Sequence, residues 1–171
     1  MQRLSLSNRF RKISHAKFMA LAKDFKQACE GAFGTQCSVE ISALSAPKAY
    51  TTFMDDRIQG VLDRANESNH LGNVGSIEDV TKEMYRAAKY IEMTVRPVNE
   101  EQAPDHAFGH VEFGGNRPRQ ATFYIQGGSD CAEACDYMVS RHENMKVGDG
   151  YDGNGTRSTS IPDNLKSALG L

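Results

Sequence analysis

His110, Glu112 and Tyr124 are the residues whose types and spacing come nearest to chemistry. A histidine next to a carboxylate can work as a general base, with a tyrosine as acid or hydrogen-bond donor. They lie in two runs, AFGHVEF and QATFYIQ, each alternating between two faces as half-buried strands do. Ala107, Gly109, Val111 and Phe113 share one face of the first run, and Ala121, Phe123 and Ile125 one face of the second. His110, Glu112, Thr122 and Tyr124 then become neighbours on the outer face. Polar cross-strand pairs also occupy ordinary half-exposed sheets. No G-x-S-x-G nucleophile elbow, H-E-x-x-H zinc motif or phosphate-binding G-x-x-x-x-G-K-[ST] accompanies them. These residues are therefore candidates for a small catalytic site, in a chain whose reading leans toward a non-enzyme.

Between the two runs, GGNRPR supplies turn-forming residues and a basic tip, Arg117-Pro118-Arg119. Arginines at a protruding turn suit a nucleic-acid groove. The first 30 residues carry seven lysines and arginines against Asp24 and Glu30, a balance of +5, which leaves −7 on the rest of a chain of net charge −2. A basic segment on an acidic body suggests an acidic partner. Arg9, Arg11, Lys12 and Lys17, with Arg117 and Arg119, are the candidate phosphate contacts.

Cysteine invites a zinc reading. Cys131 and Cys135 have three residues between them, within zinc-ligand spacing, and His142 follows. Cys29 and Cys37 have seven residues between them, outside that spacing, so buried reduced thiols are the expectation and no metal or other cofactor is assigned. DGYDGNGT resembles part of a calcium loop, but it lacks the first Asp and the last bidentate Glu.

These residues need a scaffold. At 171 residues, one domain is expected. Residues 1–12 read as a basic flexible arm, 13–146 as a single α+β domain, and 147–171 as a flexible linker ending in a short apolar motif. A helix is predicted from about Ile13 to Glu30, because Phe18, Leu21, Ala22, Phe25 and Ala28 recur at helical spacing. SVEISAL follows as a strand. A second helix runs from Ser45-Pro47 to about Ala65, and 66–75 form a loop. A third helix runs from Ser76 to about Thr94, although Ile91, Met93 and Val95 also alternate as a strand would. After the hairpin, Ser129 caps a fourth helix. The expected architecture is a small, mainly antiparallel sheet of about three strands packed with about four helices, followed by a flexible C-terminal tail.

The leading functional expectation is a non-enzymatic interaction or assembly factor, binding another protein or itself. Its basic arm and a C-terminal docking segment, with Leu165, Ala168 and Leu169 as anchors, would make the contacts. Nucleic-acid binding is the alternative, and the His/Glu/Tyr site a second one. No run of about 20 apolar residues is present, so no membrane partner is expected, and the polar N-terminus points to an intracellular protein.

Overall fold

The computed structural model describes residues 1–8, 10–46, 56–115, 117–128 and 130–148, without the side chains of 56–59. In chain order the elements are β1 (Gln2–Ser7), α1 (His15–Phe33), β2 (Cys37–Leu44), α2 (Asp56–Ser68), β3 (His70–Val74), a 3-10 turn (Ile77–Asp79), α3 (Lys82–Ala87), β4 (Tyr90–Pro97), a second 3-10 turn (Glu100–Gln102), β5 (Phe108–Gly114), β6 (Gln120–Gln126), α4 (Cys131–Arg141) and β7 (Met145–Gly148). The strands form one antiparallel sheet in the order β3-β2-β4-β5-β6-β1-β7.

The α+β class and four helices agree with the sequence reading, but seven strands replace the expected three or so. Residues 2–7 are not part of a free arm: β1 is an interior strand between β6 and β7, with Leu4 and Leu6 buried. The loop expected at 66–75 is the end of α2 followed by edge strand β3. The helix expected over 76–94 is a short turn, a six-residue helix and then β4. Thr81, not Ser76, caps α3, its hydroxyl accepting from the Met84 N–H. β4 alternates Ile91, Met93 and Val95 into the core, so the period-2 pattern prevails over the helical one. The cap expected at Ser129 and the tail beyond Gly148 lie outside the described residues.

α1 begins where the Ser14 side chain accepts from the Lys17 N–H and ends at Gly34, a left-handed residue whose N–H returns to the Glu30 carbonyl. Its apolar stripe, Phe18, Leu21, Ala22, Phe25, Ala28 and Cys29, is buried against the sheet, with α4 beside it on the same face. Contact is closest over Gly109, where a Cβ would stand 2.6 Å from Cys29 Sγ and 3.2 Å from Val95 Cβ. Gly109→Ala is expected to lower stability by about 1 kcal/mol, the low end for overpacking, because the Cys29 sulfur can turn aside. A urea titration of the folded protein checks it. Burial of one sheet face leaves polar side chains on the other, and the candidate chemistry stands there.

Candidate functional site

β4, β5 and β6 lie side by side, and their register assembles a polar cluster on the face away from α1. His110 is opposite Thr94 on β4 and Tyr124 on β6, and Glu92 and Glu112 face each other directly. His110 Nε2 is 3.2 Å from Glu112 Oε1. A carboxylate accepts only, so this nitrogen carries the proton and Nδ1 is left as an acceptor. The Phe108 ring stacks along the imidazole, with centroids 5.9 Å apart, and Tyr124 lies 6.2 Å away. Between these rings the histidine is only 7% exposed, and its Nδ1 is buried without a hydrogen-bond partner. One donor atom each from Glu92, His110 and Glu112 falls within 4.8 Å of the others. Glu92, Glu112 and Tyr124 have further interactions of their own, so none is a free group. Glu92 also borders a cleft of about 390 Å³ against the end of α2, shared with Ser42, Leu44, Asn66, Glu67 and His70.

The fold thus brings together His110, Glu112 and Tyr124, as alternation along two strands implied. It adds Glu92, which the sequence reading had placed in a helix.

A second assembly lies at the β5–β6 turn. The Ile13 N–H donates to the Pro118 carbonyl (2.6 Å) and the Asn8 N–H to the Arg119 carbonyl (2.7 Å), so segment 8–13 is fastened along the hairpin tip. Lys12 donates to the carbonyls of Tyr85 (2.9 Å) and Arg86 (3.2 Å), the last residues but one of α3, and its ammonium lies over the Tyr85 ring. The Tyr85 hydroxyl donates to the Ile13 carbonyl. Burial, and then the positive charges of Arg117 and Arg86, hold the Lys12 ammonium below the ordinary lysine range. Arg117 has φ 66°, a left-handed conformation that favours glycine. Arg11, Arg117 and Arg119 are exposed, and so is Phe10, at 88%. Four of the six basic candidates, Arg11, Lys12, Arg117 and Arg119, therefore meet at one corner, joined by Arg86. Arg9 lies outside the described residues.

Lys17 belongs elsewhere. Its ammonium donates to His142 Nδ1 (3.1 Å), while His142 Nε2 donates to Asp24 (2.8 Å), which also accepts from Arg141 (3.0 Å). This group clips α1 to the end of α4. His142 is thereby committed to Asp24 and Lys17, and it is not drawn together with Cys131 and Cys135 into a metal site. Among the described residues, Glu92, His110 and Glu112 form the one group of three or more histidine, cysteine or acidic side chains with convergent donor atoms. All four cysteines are free and buried, and burial pushes the Cys37 and Cys135 thiols up to about 11, which keeps them protonated.

Gly148, Gly150 and Gly153 have the spacing of a dinucleotide-binding loop, but that loop joins a strand to a helix in a parallel sheet, whereas β7 is antiparallel to β1. Leu165, Ala168 and Leu169 lie outside the described residues. No described helix is long and apolar enough to cross a membrane. No family model matches the chain, and no curated protein or solved structure matches it either.

Proposed function

We propose that the protein binds single-stranded nucleic acid at the corner formed by segment 8–13, the β5–β6 turn and the end of α3. The observation that carries this reading is the convergence of cationic groups from three distant stretches, at positions 11–12, 86 and 117–119, with the exposed Phe10 next to Arg11 in the chain. Like charges held together repel, and a polyanion relieves the repulsion. A solvent-exposed aromatic ring on a basic segment is what a stacking site for unpaired bases requires. Arg117 adds a further argument. A side chain kept where the backbone favours glycine sacrifices stability, which is common at binding sites. We prefer this reading to the assembly factor because Asn8 and Lys12 of the basic segment are tied to the hairpin and to α3, while the C-terminal anchors of that alternative lie outside the described residues.

The test is fluorescence anisotropy with labelled oligo-dT and oligo-U across a salt series. With about four phosphate contacts, affinity is expected to fall about 50-fold between 50 and 200 mM salt. Arg117→Gly with Arg119→Ala should weaken binding and flatten that salt dependence by about 1.4 in logarithmic slope, while the protein melts no lower. Phe10→Ala should weaken binding by about 1 kcal/mol or more with the slope unchanged. Salt-independent binding, or an unaltered affinity in the arginine variant, would overturn the reading.

A further inference from the structure

A separate site stands on the open face, and it does not depend on the nucleic-acid reading. We propose that Glu92, His110 and Glu112 hold one divalent cation of the manganese–zinc class.

Three observations support it. The first is the donor set. Two carboxylates and an imidazole, with donor atoms within 4.8 Å of one another, suit a mid-row divalent metal, since the nitrogen ligand disfavours magnesium and the oxygens disfavour a purely soft ion. The 3.2 Å between His110 Nε2 and Glu112 Oε1 is the separation of two ligands each about 2.1 Å from one ion at roughly a right angle. The second is the histidine itself. Its side chain is 9% exposed and uses one nitrogen on Glu112, with Nδ1 buried and unpartnered. The stacked Phe108 ring and Tyr124 hold the imidazole in place with Nε2 turned toward Glu112, so the ligand nitrogen is already beside the carboxylate. The third is support and access. The ligands come from two adjacent strands in direct register, which fixes them more firmly than a loop would. Glu92 also borders the cleft at α2, lined in part by Glu67 and His70.

The ion binds the lone pair of His110 Nε2, the ring proton moving to Nδ1, and sits between the opposed carboxylates, whose direct pairing across the strands is otherwise repulsive. It competes with the other interactions of Glu92 and Glu112. The buried, protonated thiols are poor competitors for manganese, which makes Mn²⁺ the selective probe.

The experiment titrates the full chain with Mn²⁺, following free Mn²⁺ by electron paramagnetic resonance and heat by calorimetry. One saturable site is expected, weakened at least about tenfold by Glu92→Gln, Glu112→Gln and His110→Gln, and unchanged by Glu133→Gln on the exposed side of α4. If His110→Gln does not fold, the half-exposed Glu92→Gln decides, since it keeps the shape of the side chain. No saturable uptake at millimolar Mn²⁺, or uptake that Glu92→Gln leaves intact, overturns the proposal. Nucleic-acid affinity in these variants reports on the other site alone.

Discussion

Phe18→Ala is expected to destabilise the protein by about 3–5 kcal/mol, the range for deleting a fully buried aromatic ring. Phe18 has no solvent exposure, meets Phe113 edge-on with centroids 4.9 Å apart, and lies 5.1 Å from Tyr85. It is therefore where α1, α3 and β5 press on one another. The consequence extends beyond stability. Tyr85 holds the Ile13 carbonyl through its hydroxyl, and its own carbonyl holds Lys12. Loosening Tyr85 should release segment 8–13 from the hairpin tip and disperse the basic corner. Phe123→Ala supplies the contrast. Phe123 is equally buried and packs on Phe25 and Phe113, away from Tyr85. Both variants should lose comparable stability in denaturant titration. Under conditions where both remain folded, only Phe18→Ala should lose affinity for the labelled oligonucleotides. Equal affinity in the two would show that Tyr85 does not organise the corner.

The contrast between hairpin and sheet margins explains what could be read from the chain. β5 and β6 were legible because apolar residues recur at every second position on the face toward α1, Val111 and Phe113 in one strand and Ala121, Phe123 and Ile125 in the other. That alternation also placed His110 and Glu112, two apart on a strand, on one face with Tyr124. β1 was obscured because two leucines, Leu4 and Leu6, are its whole apolar signal in a short, otherwise polar strand that leads into the basic run 9–12. β3 had no signal to offer: His70, Leu71 and Asn73 are exposed on an edge strand, where neither face is fully covered. β4 carried two compatible periods, since Ile77, Val80, Met84, Ala87 and Ile91 fit a helix and Ile91, Met93 and Val95 fit a strand. Misassigning it hid Glu92 from the cluster it completes. The basic corner illustrates a deeper limit. Lys12, Arg86 and Arg117 are brought together by backbone hydrogen bonds from segment 8–13 to residues 118–119, and no local pattern encodes that fastening.

The clip between α1 and α4 makes the last expectation one of pH. His142 is 4% exposed, donates to Asp24 through Nε2 and accepts from Lys17 at Nδ1, so the fold selects the neutral ring. Burial, and then the nearby Lys17 charge, lower its pKa from the ordinary value of 6.5; the hydrogen bond and charge of Asp24 oppose them, and Arg141 adds a small further push downward. The folded state therefore binds fewer protons than the unfolded chain between the lowered value and 6.5. Stability is complete above about pH 6.5 and declines as pH falls through the folded value, below which the loss is full. Lys17→Met should raise the His142 pKa and shrink this acid loss, seen as a smaller fall in melting temperature between neutral and mildly acidic buffer. Asp24→Ala acts in the opposite sense on both counts. It removes the acceptor of a charge-assisted hydrogen bond, at a cost of about 1.5–3 kcal/mol at neutral pH. It also leaves the ring facing the positive charges of Lys17 and Arg141, so the acid loss should deepen. A pH titration of His142 by nuclear magnetic resonance, with the pKa moving up in one variant and down in the other, separates this coupling from simple loosening of the helix pair. Movement in the same direction in both variants would show that the histidine does not sense Lys17 and Asp24 as opposed charges.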